Sequence, residues 1–532
     1  ADVAPGASRS LTTAPAAKVR AAKVRAAKAE VMRLHEVRVQ RPGEPLVRED
    51  QLAWKIAAAA ADPAPLDEAA AQMAVNRVID DMAVALAAIN RPSVVAARGQ
   101  ALAHPREDGA TLLGLPREQR FDCAWAAYAN ATAIRELDFN DSFFAADSSH
   151  PGDTIAPLIA VAQQKGLSGP DLLRGIVTAY EIQVDLVKGI ELNPYRIDHV
   201  AHLGPAVAAG LGAMLRLDAA TLYHAVNLAA HLSVSTRQIR KGTISSYKAN
   251  APGHIGQVAI AAVDRALRGE TSPAPIYEGD YGILAILLGG AEMVCEVPLP
   301  EAGEPKRAIL ETYPKEHSAG YHGQALIDLA FRLREKISDV EQIDEVVLHS
   351  KRLTHLVMGS GAGDPEKYDP KANRETLDHS IMYIFTVALQ DGVWDHEASY
   401  APERAARADT VRLWRKVRTV EDAEWSRRFS EPAPLDKDHG ARVVVSFKDG
   451  TTLEEEIAVA DAHPRGARPF AREDYIAKFH RLTEGLVDTE EAARFLAAAG
   501  ELSAMAAADL GQITVTLDDS KLVKPRRHGL FE

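Results

Sequence analysis

The chain has 532 residues, 47% of them hydrophobic and 25% charged, enough for two to four domains at roughly 100–200 residues each. Acidic side chains outnumber basic ones by 74 to 61, a formal net charge of −13, which argues against a protein whose main task is coating nucleic acid or an anionic membrane. Two cysteines, Cys123 and Cys295, exclude a disulfide scaffold and any four-thiolate zinc or iron–sulfur site built from this chain alone.

Residues 1–30 are nearly free of acid and repeat Ala-Ala-Lys-Val-Arg, at Ala16–Arg20 and again at Ala21–Arg25. This resembles an organellar transit peptide, but a disordered basic arm is the simpler account, and residues 1–45 are read as that arm. No stretch approaches the ~18 uninterrupted apolar residues of a membrane span. From Leu52 to Val297 apolar residues recur at helical spacing, as in Met73, Val75, Val78, Ile79, Met82 and Val84, and predict a helical domain over 46–300. Turn clusters at Arg91-Pro92-Ser93, His104-Pro105-Arg106 and Gly166 to Pro170 divide it, with Ser168 placed to cap the next helix. Buried helices are expected at Asp171–Gly189 and Pro205–Leu217.

The proline-, glycine- and acid-rich stretch from Val297 to Pro305 marks a domain boundary. Beyond it Glu345–His349 reads as a strand, Ser380–Leu389 as a helix, and Arg442–Ile457 as a hairpin turning at Lys448-Asp449-Gly450. Together these give a smaller α/β domain over 305–469. Helical periodicity returns from Phe470 to Leu482 and from Glu490 to Ala499, so 470–515 is expected to pack back on the first domain, with 516–532 as a tail. The predicted fold class is α+β, a large all-α domain with a smaller α/β one.

Phosphate-loop, dinucleotide, nucleophile-elbow and His-Glu-x-x-His patterns are absent. Four polar clusters remain. The first joins Asp138-Phe139-Asn140-Asp141-Ser142 to His150-Pro151-Gly152-Asp153; Asp138 and Ser142 are spaced to share one face of a helical turn, over which His150 could close. Caps and turns alone would also account for these residue types. The second is Arg196-Ile197-Asp198-His199 with His202. The third is the basic segment Arg237 to Lys248, suited to an anion but equally to a solvated surface. The fourth, Lys315 to His322, lies just past the expected domain boundary, where clefts form.

Taken in order, these clusters resemble the MmgE/PrpD family, and within it the 2-methylcitrate dehydratase branch, over nearly the whole chain after about residue 50. The carriers are Arg135 to Ser142, His150 to Asp153, Gly175 to Glu181, Asp198-His199-Val200, Gly242 to Lys248 and Lys315 to Asp328. The resemblance implies a helical domain completed by the C-terminal segment, an α/β lid, a homodimer, and a cleft site that uses no metal or other cofactor. By similarity Asp138, Ser142, His150, His199 and Lys248 fall on pocket positions, and Lys315 and Tyr383 on lid-side ones. Three positions depart from the family pattern: Ser142 stands where threonine is usual, Gly152 replaces a common serine, and Gly320 stands where relatives carry histidine or glutamate. The lid's acid/base group is therefore either missing at that position or replaced by nearby His322, which joins Lys315 and Tyr383 as a substrate-binding residue.

The implied reaction is loss of water from 2-methylcitrate in propionate catabolism, possible also on citrate, in the bacterial cytoplasm or the mitochondrial matrix. It must remove a weakly acidic C–H proton beside a carboxylate and protonate a departing hydroxyl, so it needs two proton-transfer groups and several cations. The histidines His150 and His199 suit the first task, Asp138 suits orienting one of them, and Ser142 and Lys248 suit holding a tricarboxylate. An iron–sulfur aconitase is nearly excluded by the cysteine count. A cis-aconitate decarboxylase of the same family is disfavoured by the twelve-residue step from Asp138 to His150, which looks two shorter in decarboxylases. An isomerase or epimerase, or an inactive homologue with a binding role, would use the same scaffold. No nucleic acid or membrane partner is expected.

Overall fold

The computed structural model of the chain describes residues 32–41, 43–527 and 529–531. The repeated basic segment lies outside the described residues. The end of the stretch expected as an arm is not one: Arg33–Arg38 forms strand β1. Val37 and, just past the strand, Val39 are buried, a short alternation that the charged residues Arg33, Glu36 and Arg38 disguise in the sequence.

Helical periodicity is realised as α1 (Leu52–Ala61), α2 (Glu68–Ala87), α3 (Pro92–Leu102), α4 (Cys123–Glu136), α5 (Ile155–Lys165), α6 (Gly169–Gly189), α7 (Val200–Leu215), α8 (Ala219–Leu232) and α9 (Tyr247–Leu267). The turn residues fall at helix ends. Pro92 opens α3, where its missing N–H costs nothing, and Gly166 ends α5 in the left-handed region at φ 60. Ser168 caps α6 in a reciprocal box with Asp171. Pro205, by contrast, sits inside α7, which starts five residues earlier than its proline suggested. The helix tolerates it because α7 is clamped against α6: a Cβ on Gly210 would lie 2.8 Å from the Gly175 carbonyl oxygen and 2.7 Å from Ala179 Cβ. That crossing explains the small residues of the Gly175–Glu181 motif. The strand β2 (Val294–Leu299) closes this part of the chain by pairing antiparallel with β1, Arg33 opposite Leu299.

The second part is built on a four-stranded sheet. Its central strand β3 (Ile343–Ser350) runs parallel to β4 (Val417–Glu421) and antiparallel to β5 (Ala441–Phe447), which forms the expected hairpin with β6 (Thr452–Ile457). Gly450 takes φ 84 in the turn. Helices α10 (Tyr321–Lys336) and α11 (Ile381–Asp391) supply the other half of a core running from Ala319 to Ala460. Helices α12 (Arg472–Thr483) and α13 (Thr489–Gly500) then return to the helical part. Tyr475, Phe479 and Phe495 join its core, whose earlier members run from Val37 to Ile309, and Arg77 of α2 donates to the Tyr475 hydroxyl at 3.0 Å.

The stretch read as a tail is also packed. Leu517 and Leu522 belong to the first core, Arg98 donates to the Val523 carbonyl oxygen, and Phe531 lies edge-on to His104 and Trp125. Among the described residues no helix is long and apolar enough to cross a membrane.

Candidate active site

The chain leaves α4 through Leu137 and turns sharply at Asp138, whose φ of 49 is left-handed. Asp138 and Ser142 therefore do not share a helical turn, as their spacing suggested. The turn instead points the Asp138 carboxylate at three cations. Its Oδ1 accepts from Arg135 Nη1 at 2.7 Å and from Lys315 Nζ at 2.6 Å, while Oδ2 lies 3.3 Å from Lys248 Nζ. Lys315 also donates to the Asp138 carbonyl oxygen at 2.8 Å. Burial opposes ionisation of this carboxyl, but Arg135, Lys315 and Lys248 outweigh it and hold the group well below the usual carboxylate range.

Lys248, at the start of α9, binds the lid as well. Its ammonium is 2.7 and 3.0 Å from the two oxygens of Asp378 and 3.2 Å from His379 Nδ1. Burial works against the Asp378 charge, yet Lys248 and His379 pull its carboxyl down to about 2. Burial, reinforced by Lys248, drops His379 to about 4. Asp138, Asp378 and His379 bring three ligand-type atoms within 4.8 Å of one another. The ammonium of Lys248 already stands between the two carboxylates, so this donor set does not fit an added metal ion.

On the other side of Asp138, Ser142 is fixed by a bridge to Tyr313, with N–H···O distances of 3.0 and 2.8 Å. His150 Nδ1 lies 2.8 Å from the Asp141 carbonyl oxygen and 3.1 Å from Ser142 Oγ. A carbonyl oxygen only accepts, so Nδ1 carries the proton and Nε2 keeps its lone pair. His199 caps α7 with its ring 5.2 Å from that of His150. Burial, with Arg135 and Lys315 adding to it, pushes His150 well below its ordinary value; burial does the same to His199, against the pull of Asp198. Both rings are neutral bases at neutral pH. Asp198 is itself held by Arg240 at 2.7 and 3.2 Å, which gives part of the basic segment a positioning role.

Of the lid-side residues, Lys315 and His322 belong to this group and Tyr383 does not. Burial lowers Lys315 to about 8 although Asp138 supports its charge. His322 is buried, 2.9 Å from Thr354 Oγ1 through Nδ1, with its ring 5.3 Å from Phe144. The Tyr383 hydroxyl donates to the Ser399 carbonyl oxygen at 2.5 Å and its ring packs 4.9 Å from Trp414, inside the lid core. Tyr383 is buried in that core although it lies only four residues from His379. The residues missed in the sequence, Asp378 and His379, sit in the turn before Ser380, which caps α11; an Asp-His pair ahead of a cap was their only local signal.

Two of the departures acquire a physical reason. A Cβ on Gly152 would lie 2.9 Å from Asp81 Oδ1 and 3.0 Å from Asp141 Oδ1, so two buried carboxyls leave no room for a side chain. A Cβ on Gly320 would lie 2.8 Å from both Sδ and Cε of Met358, so a thioether fills the space beside the turn that carries Asp378.

Residues 50–296 match the MmgE/PrpD N-terminal domain and residues 317–503 the MmgE/PrpD C-terminal domain. The chain belongs to the MmgE/PrpD family. It is 26% identical over 401 residues to a mitochondrial 2-methylcitrate dehydratase of Yarrowia lipolytica, covering 72% of this chain and 74% of that protein. It is similar at 25% identity over 397 residues to a 2-methylcitrate dehydratase of Cupriavidus necator, covering 71% and 79%. A 2-methylcitrate dehydratase of Escherichia coli is 24% identical over 363 residues, covering 64% and 70%.

Proposed function

We propose that this chain is a dehydratase that removes water from 2-methylcitrate to give 2-methyl-cis-aconitate. The observation that carries this reading is the joint presence of a base and its electrostatic counterpart. His150 presents an unprotonated Nε2, fixed by the Asp141 carbonyl oxygen. Beside it Arg135, Lys315 and Lys248 converge on Asp138. The names of the relatives supply the substrate.

In this mechanism His150 Nε2 takes the proton from the carbon next to a substrate carboxylate. Negative charge builds on that carboxylate, and Lys248 and Lys315 stabilise it, the type of preorganised interaction that lowers such barriers most. The C–O bond then breaks and the hydroxyl leaves as water, with its proton supplied by His199. The neutral state of His150 suits the base, whereas His199, neutral in the empty site, must gain a proton before it can act as the acid. A trivalent anion entering among these residues raises the affinity of His199 for a proton, which arms it as the acid only when substrate is bound. Return of the proton from His150 to solvent and reprotonation of His199 complete the cycle.

The test is turnover of 2-methylcitrate by the purified chain, followed as ultraviolet absorbance of the unsaturated product, with citrate and cis-aconitate alongside. General acid–base catalysis is worth about 10²–10⁴-fold, so His150→Ala is expected to lose that much of kcat/KM. Unchanged turnover in His150→Ala would remove His150 from the mechanism, and formation of itaconate from cis-aconitate without dehydration of 2-methylcitrate would replace this reading with a decarboxylase.

A further inference from the structure

Behind His322 the lid buries a second group of polar side chains that the proposed reaction does not use. Lys351 is 1% exposed, yet its ammonium, with three N–H donors, has one hydrogen bond, to the His439 carbonyl oxygen at 3.0 Å. The ring of Phe429 lies 4.9 Å away. The nearest carboxylate acting on it, Asp438, is bonded instead to Arg428 at 2.7 Å and Arg465 at 2.8 Å. Among the described residues Lys351 thus has no ion-pair partner, and burial lowers it to about 7. His439 is 2% exposed and neither of its ring nitrogens has a partner there; the Tyr321 hydroxyl, equally buried, has none either.

A buried ammonium short of acceptors, an imidazole with both nitrogens free and a free phenol are costly where nothing completes them. The Lys351 ammonium and one nitrogen of the neutral His439 ring donate and lack acceptors, whereas the Tyr321 hydroxyl lies among Tyr313, Asp328 and Arg77. The group is also continuous with the reaction site. Phe144, two residues past Ser142, has its ring 5.3 Å from His322 and 5.2 Å from His439. His322 in turn is subject to the charges of Lys351, His379 and Lys315 together.

We propose that Lys351 and His439, with His322 at their edge, form an anion subsite in the lid that takes a carboxylate of the substrate remote from the reacting carbon. This rests on the reading of the substrate as a tricarboxylate. A carboxylate offers only acceptors, which is what these donors lack, and its charge would return Lys351 to the ammonium form. The subsite would make lid closure depend on a third carboxylate.

The experiment is calorimetric titration with propane-1,2,3-tricarboxylate, which has no hydroxyl to lose and so reports binding without dehydration. Wild-type chain is expected to bind it, Lys351→Met to bind at least tenfold more weakly, and Lys351→Arg to stay within about threefold. Methionine removes an unpaired buried charge, so the variant should fold; His439→Phe, which keeps the ring, provides an independent second loss of about threefold or more. Unchanged affinity in Lys351→Met, or no binding by wild type, overturns the subsite. Turnover of 2-methylcitrate by wild type is measured in parallel: its absence with the Lys351 effect intact would overturn the dehydratase reading and leave the subsite standing.

Discussion

Lys248 of the helical part and Asp378 of the lid form a salt bridge at 2.7 Å in which both side chains are almost wholly buried. The same ammonium reaches Asp138 at 3.3 Å, so one side chain joins the site carboxylate to the lid. Removing one partner of a buried pair typically costs about 3–5 kcal/mol because the other charge is left uncompensated. Lys248→Met is therefore expected to lower stability to denaturant by roughly that amount, and to reduce kcat/KM by on the order of 10²-fold through loss of a charge-stabilising donor. The double variant Lys248→Met, Asp378→Asn should regain part of the stability but none of the activity. If the losses of Lys248→Met and Asp378→Asn measured singly simply add in the double variant, the pair is not coupled.

Much of this arrangement was legible in the sequence, and the parts that were not share a cause. Helix ends, the hairpin at Gly450 and the capping role of Ser168 depend on neighbouring residues, and local patterns express them. Asp138, Ser142, His150, His199, Lys248 and Lys315 are singled out by family motifs and His322 by its nearness to Gly320, but none of these gives their geometry: the helical turn drawn from the spacing of Asp138 and Ser142 is replaced by a left-handed turn. That turn is held by Lys315, which is 177 residues away. Asp378 and β1 were missed for the same reason, since the ammonium of Lys248 and the partner strand Val294–Leu299 are remote in sequence.

Gly152 offers a test of close packing behind the site. Gly152→Ser would press its Cβ against Asp81 and Asp141, whose carbonyl oxygen orients His150. Overpacking of this kind costs about 1–3 kcal/mol, and the displaced His150 should lower kcat more than it raises KM. Shortening the obstructing side chain in Gly152→Ser, Asp81→Ala should restore a measurable share of both stability and kcat. If Gly152→Ser alone behaves as wild type in melting and turnover, the packing beneath His150 is more accommodating than these distances allow.

The pH profile follows from the signs of the shifts. His150 lies well below its ordinary value of 6.5, so the base stays unprotonated as pH falls through 6.5 and kcat/KM should show no acid step there. Lys315 is charged below about 8 and neutral above it; activity that needs its ammonium should fall as pH rises through about 8. Lys351 discharges from about 7 and would add a shallower slope through substrate binding. Lys315→Arg keeps its charge throughout this range, so whatever activity that variant retains should lose the step at about 8. His199 must gain a proton before it can act as the acid, which imposes a gradual fall of kcat/KM with rising pH in every variant; an acid step centred near 6.5, or a distinct extra step at about 8 that survives in Lys315→Arg, would reassign the titrating groups.

Tyr383 distinguishes membership of the site from membership of the lid core. Its hydroxyl is committed to the Ser399 carbonyl oxygen and its ring to Trp414, inside the lid core. Tyr383→Phe removes one buried hydrogen bond and keeps the ring, a change worth about 1 kcal/mol, with the Ser399 carbonyl left unpaired. The expected result is a small loss of stability with kcat and KM for 2-methylcitrate each within about twofold of wild type. A tenfold rise in KM with unaltered melting would instead return Tyr383 to the substrate, and would mean that the lid rearranges when it closes on its ligand.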